Sequence, residues 1–225
     1  MASYRAKIFL ETLQNSGVNE VFCETSRKAN PPKSPGEREG LLELREEVIR
    51  CTKCGELVQN RHSVVFGSGN PRADLVFVGE APGAEEDRQG LPFVGAAGQL
   101  LTKMIQSIGL RREAVFIANV LKCRPPGNRS PQPQEIANCE PYLMHQLALI
   151  QPKLICALGA FAAQTLLKTT TPISALRGKI HDYRGIPVLC TFHPAYLLRN
   201  SGEKRKAWED LKKLRALLDE HSGKP

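Results

Sequence analysis

DLVFVGEAPGAEEDRQGLPFVGAAG, residues 74–98, is the stretch whose reading decides the fold. Leu75, Val76, Phe77 and Val78 form a short unbroken apolar run, the pattern of a strand covered on both faces in a parallel sheet. Gly79 ends that strand, and Gly83, Gly90, Gly95 and Gly98 follow closely. Glycine is favoured where the backbone turns with positive φ or approaches a ligand without a Cβ in the way. A strand, a tight turn, an acidic loop and a helix start place a site at the strand's carboxyl end.

Outward from this stretch the pattern repeats. Ala114–Val120 (AVFIANV) and Lys153–Leu158 (KLICAL) read as two more buried strands, and 180–183 and 188–192 as shorter ones around the Arg184-Gly185 turn. Helical spacing recurs over 95–109, 135–150, 159–167 and 203–220, the last with Trp208, Leu211, Leu214 and Leu218 on one face. Alternating strands and helices predict the α/β class: a parallel sheet with helices on both faces and every strand's carboxyl end on one edge. That edge collects Gly79–Gly83, Asn119–Arg124, Gly159, and His193 with Pro194.

The chain's 225 residues, 41% hydrophobic and 24% charged, suffice for one sizeable core. Residues 1–45 read as an N-terminal arm. Its Ile8, Phe9, Leu13, Val18 and Val21 suit a short helix interrupted by Gly17, and the Pro- and charge-rich ETSRKANPPKSPGEREG after them suits a linker. Residues 46–225 are the expected catalytic domain, with folded structure beginning near Glu39 and Leu41, Leu44, Val48 and Ile49 on a helix leading to Cys51. A net charge of +8 favours a polyanionic partner such as nucleic acid. No apolar run approaches the ~20 residues of a membrane helix and no secretory leader stands at the N-terminus, so a cytoplasmic protein with no membrane contact is expected.

Seven cysteines in such a protein point to metal ligation before disulfides. Cys51 and Cys54 form a C-x-x-C pair, and Cys123 and Cys139 complete four ligands. Four thiolates satisfy zinc and a four-iron four-sulfur cluster equally, and spacing leaves both open. Cys23 falls in the arm, and Cys156 and Cys190 fall inside apolar strands, as core cysteines do.

GEAPGAEED at 79–87, FVG at 93–95, NVLKCRPPGNR at 119–129 and HPAYLLRN at 193–200 occur in an order, interleaved with the four cysteines, that resembles the iron-sulfur, family four uracil-DNA glycosylases. The resemblance runs from about Cys51 to Leu218. It implies a three-layer α/β/α fold around a central, mostly parallel four-stranded sheet and a 4Fe-4S cluster on Cys51, Cys54, Cys123 and Cys139. It also implies excision of uracil from single- and double-stranded DNA by a monomer, the target nucleotide leaving the base stack for a pocket.

Residue by residue, Gly79 and Ala81 line the pocket by their backbone, Phe93 stacks on the base, and Asn119 donates to uracil O4 while accepting from N3–H, a pattern cytosine reverses. His193 donates to O2 and stabilises the charge growing on the departing base, a kind of interaction worth roughly 3 to 4 kcal/mol. The turn departs from better known uracil-DNA glycosylases, because Ala81 occupies the slot of a water-activating aspartate. Glu80 is assigned an electrostatic role and Asn128 the orientation of water. Glu86 is assigned the crowding of uracil C5 against thymine. Lys122, Arg124, Arg129 and Arg199 are assigned to DNA, with Leu198 as the wedge that fills the vacated stack. Two alternatives stay open: a non-catalytic DNA-binding module, and a branch that cross-links DNA through a histidine on an inserted basic loop. Residues 123–139 contain no histidine.

Overall fold

The computed structural model describes residues 35–221, so the expected helix in residues 1–22, most of the linker and Cys23 lie outside the described residues. The strand β2 (Leu75–Gly79) is buried throughout and stands in the interior of the sheet. With β1 (Ser68–Gly69), β3 (Phe116–Asn119), β4 (Leu154–Leu158), β5 (Ile180–Tyr183) and β6 (Ile186–Thr191), it forms, among the described residues, a six-stranded sheet in the order β1-β3-β2-β4-β6-β5. The four strands β3, β2, β4 and β6 are parallel, as expected. The two edges add antiparallel pairs, β1 on β3 and β5 on β6. β5 and β6 join through Arg184 (φ 52°) and Gly185 (φ 83°), the backbone of a two-residue hairpin turn.

Side chains alternate across this sheet and build the three layers. Val76 and Val78 face a core shared with α1 (Pro35–Ile49), α5 (Pro133–Ile150) and α6 (Ala160–Leu167). Leu75 and Phe77 face the other core, with Leu101, Met104 and Ile105 of α4 (Ala96–Ser107) and Trp208, Leu211 and Leu214 of α9 (Lys204–His221). Each large side chain so buried contributes about 1.5–3 kcal/mol.

The domain starts earlier than expected. α1 runs unbroken through the boundary at residue 45 and begins at Pro35, inside the stretch expected as linker. Proline fits a first helical turn, where its missing N–H has no intrahelical partner to lose. Leu41, Leu44 and Val48 are buried in the first core, and Gly40 lets α1 sit against Leu149 of α5. The apolar stripe in this helix decides its fate over the polar composition before it.

Four short helices complete the described chain: α2 (Gly55–Asn60), α3 (Ala84–Gln89), α7 (Ile173–Leu176) and α8 (Pro194–Arg199). No helix among the described residues is long and apolar enough to cross a membrane. The chain passes from β2 to β3 on one side and then to β4 on the other, so strand order reverses at β2, where ligands settle in open α/β sheets.

Candidate active site

The parallel register sets Gly79 beside Asn119 at the carboxyl edge. A Cβ on Gly79 would overlap the Asn119 amide oxygen and come within 2.5 Å of Phe93 Cζ, so only glycine permits this convergence. Asn119 is 1% exposed and its Oδ1 has no hydrogen-bond partner. A buried acceptor left unpaired costs about 1–3 kcal/mol, which a ligand N–H would recover. Phe93 adopts a left-handed φ of 52°, unusual for a bulky residue, and its main chain lies so close to Gly98 that a Cβ there would overlap it. Arg112 holds the same loop, donating to Pro92 O at 2.7 Å and Thr102 Oγ1 at 2.9 Å.

His193 closes the pocket from β6. Its ring centroid lies 5.6 Å from that of Phe93, tilted by 34°. Nδ1 accepts from Ala195 N at 3.1 Å as the N-cap of α8, which leaves the proton on Nε2. Burial foremost, and then the charge of Arg199, bring its pKa down to about 4 against a pull upward from Glu86. The imidazole is therefore neutral at physiological pH and offers an N–H donor. Gly159 (φ 88°) makes room, since a Cβ there would come within 2.9 Å of the His193 Cβ.

Glu80 follows Gly79 and is half-buried, and burial raises its carboxyl pKa. Ala81, also half-buried, packs on the first core. The Glu86 carboxylate is neither free nor solvated. Oε1 accepts from Val94 N and Gly95 N, both at 2.9 Å, and Oε2 accepts from Gly83 N at 3.1 Å. Glu86 thus clamps the GEAPG turn to the loop bearing Phe93. Its neighbour Asp87, fully buried, accepts from the main chains of His62 and Ser63. Sequence reading missed Asp87 and Arg112, because an acidic run and an Arg-Arg pair look alike whether they cap backbone or face water.

The basic residues divide differently from their assignment. Lys122 is no DNA contact: it is 1% exposed, and Nζ donates to Asn119 O at 2.7 Å and Gln146 Oε1 at 2.6 Å. Burial lowers its pKa to about 7 against the opposing charges of Cys139 and Cys123. Arg129 is held in ion pairs with Glu135 at 2.6 Å and Glu56 at 2.7 Å, so its charge serves the loop's own structure. Asn128 is exposed, and its Oδ1 accepts from Arg124 Nε at 2.7 Å. The left-handed turn at Gly127 and Asn128 directs this amide to Arg124 within the basic loop. Leu198, 47% exposed, and Arg199 remain presented to solvent on α8, one turn beyond His193. Arg124 retains two of its three nitrogens for a further partner.

The four cysteines share one neighbourhood beside the first core. Burial raises the Cys123 thiol, with Cys51 and Cys54 pushing the same way. Cys139 is raised to about 11 by burial, with Cys123 and Cys54 among its neighbours and the Lys122 main-chain N–H donating to it. Arg61 donates to Cys123 Sγ at 3.1 Å and Asn138 to Cys54 Sγ at 3.4 Å. Donors aimed at sulfur are the environment that thiolate ligands take. No three His, Cys, Asp or Glu among the described residues converge tightly enough for a single ion. Cys156 and Cys190 lie fully buried in β4 and β6, as their apolar context indicates.

The Uracil DNA glycosylase superfamily model matches residues 66–212, which contain Gly79, Phe93, Asn119 and His193. The chain is 45% identical over 184 residues to a type-4 uracil-DNA glycosylase of Archaeoglobus fulgidus, covering 78% of this chain and 92% of that one. It is 47% identical over 186 residues to the type-4 enzyme of Thermotoga maritima, covering 80% and 96%. It is 46% identical over 188 residues to that of Sulfurisphaera tokodaii, covering 80% and 85%. The family model and the relatives matched over most of their length agree: the chain belongs to the type-4 uracil-DNA glycosylases of the uracil-DNA glycosylase superfamily.

Proposed function

We propose that the protein extrudes uracil from single- and double-stranded DNA and hydrolyses its N-glycosidic bond, leaving an abasic site. The observation that carries this reading is the buried, unpartnered Oδ1 of Asn119 beside Gly79 and Phe93. Uracil offers an N3–H to that oxygen and O4 to the amide nitrogen. Cytosine offers an acceptor and an amine instead, and so leaves both groups mismatched. Phe93 provides the stacking face.

As the C1′–N1 bond breaks, its electron pair passes to the base and charge gathers on O2. The His193 Nε2–H is oriented to meet it, because Ala195 N–H occupies the other ring nitrogen. Water then adds to C1′ of the oxocarbenium-like sugar and loses its proton to solvent. Ala81 supplies no base for that water. Glu80 stabilises the sugar's positive charge when ionised, and Asn128 orients the water with its amide nitrogen while its oxygen stays bonded to Arg124. Leu198 and Arg199 hold the opened duplex, with Arg124 at the flank.

Cys51, Cys54, Cys123 and Cys139 would hold a 4Fe-4S cluster, which when bound ties the segment before β1 to the loop after β3 and to α5. Single-turnover release of uracil from single-stranded and duplex oligonucleotides tests the reading. His193→Ala should slow it by roughly 100- to 1000-fold, with unchanged affinity for abasic duplex. Equal rates for variant and wild type would refute the role of the imidazole.

A further inference from the structure

Asn119 is the last residue of β3. The Lys122 side chain folds back three residues and donates to its main-chain carbonyl at 2.7 Å. The same ammonium donates to Gln146 Oε1 at 2.6 Å, and Gln146 Nε2 donates to Phe66 O at 2.8 Å, so α5 fixes the far end. The main chain of Lys122 is engaged as well. Its carbonyl accepts from Val65 N at 2.7 Å, and its backbone and charge favour the Cys139 thiolate. Cys123 is the next residue.

Burying an ammonium is costly, and a residue required only to fill space would be better replaced by leucine or methionine. What an ammonium adds is two short, charge-assisted bonds in fixed directions. One fixes the peptide plane that follows Asn119, and with it the direction in which the Asn119 amide leaves the strand. We propose that Lys122 is a positioning residue that sets the Asn119 amide for uracil and ties it to the four-cysteine centre through Cys123 and Cys139. This rests on the reading of Asn119 as the uracil-recognising group. Disturbance of the cysteines therefore reaches the base pocket through a single buried residue.

The test is equilibrium binding of the iron-loaded protein to a duplex carrying non-cleavable 2′-fluoro-2′-deoxyuridine and to the same duplex undamaged, with iron content measured in parallel. Lys122→Met should keep its iron and its affinity for undamaged duplex, yet lose about tenfold in preference for the fluorouridine duplex, one net hydrogen bond's worth of alignment. Added to Asn119→Ala it should cause no further loss, since the two act as one unit. An unchanged preference would overturn the proposal, and so would weaker binding to undamaged duplex with a shallower salt dependence, which marks a phosphate contact. If Lys122→Met does not fold with its iron, Gln146→Leu carries the test: the same loss with iron retained is expected, and no loss overturns it. A wild-type protein that showed no preference for the fluorouridine duplex would instead remove the reading of Asn119 itself.

Discussion

Asn119 and His193 are poised by opposite means. The amide oxygen is left without a partner in the interior, whereas one nitrogen of the imidazole is occupied so that the other is fixed as a donor. Because His193 titrates near pH 4, the acid limb of the rate profile should not show the break near 6.5 of an ordinary histidine. Single-turnover rates from pH 8 to 4 check this, and a break at 6.5 absent from His193→Ala would contradict it. The stability consequence has a definite sign. The unfolded chain protonates this group near 6.5 and the folded chain only near 4, so stability falls as pH drops through that window. His193→Ala should flatten that part of the curve in denaturant titrations. At Glu86, replacement by glycine to admit thymine would do more than open space, because three main-chain N–H groups lose their acceptor. Glu86→Ala should cost about 2 kcal/mol of stability and slow uracil release; unchanged stability would show the clamp to be dispensable.

Among the elements, β2 carries both cores, and Phe77→Ala should destabilise by about 3–5 kcal/mol in urea unfolding. The loop between β3 and α5 is braced by its own charges. Arg129→Ala should lower the melting temperature, because Glu135, nearly buried, and Glu56 lose their partner. It should leave the salt dependence of DNA binding nearly intact, whereas Arg199→Ala should make it shallower by about one unit of slope. The reverse pattern would restore Arg129 as a phosphate contact. These elements also show where sequence reading succeeds and where it stops. The run 75–78 and the strands ending at Asn119 and Thr191 announce themselves, because burial on both faces leaves an unbroken apolar signature. The two-residue β1 has no such signature and exists only through its pairing with β3. α1 is legible from Leu41, Leu44 and Val48 at helical spacing, but its first turn at Pro35 is not, because the composition there is polar and Pro-rich.

Across the whole molecule, the pocket residues were legible because glycines, an amide and an imidazole fall at or just past strand ends on one edge, and the ring lies in the Gly-rich loop between α3 and α4. The partners of the charged residues were not. Lys122, Arg124 and Arg129 are equivalent as letters in a basic loop, yet one is buried under β3, one bonds Asn128 and one is paired to acids from two helices. Which cation is free depends on tertiary contacts with Gln146, Glu135 and Glu56, and local spacing does not encode these. The same long-range convergence brings Cys51 and Cys54 to Cys123 and Cys139. Removal of iron by chelation should lower thermal stability and disorder the loop through Arg129, with hydrogen exchange rising over residues 119–139; unchanged exchange there would deny the four cysteines a supporting role. A buried amide reads uracil while a neutral imidazole receives the departing base's charge. The most direct test is single-turnover release of uracil and cytosine from matched oligonucleotides by wild type, Asn119→Ala and His193→Ala. Rapid uracil release by wild type with no cytosine release, and loss of roughly 100-fold or more in each variant, is the expected result; Asn119→Ala releasing uracil at the wild-type rate would contradict the account.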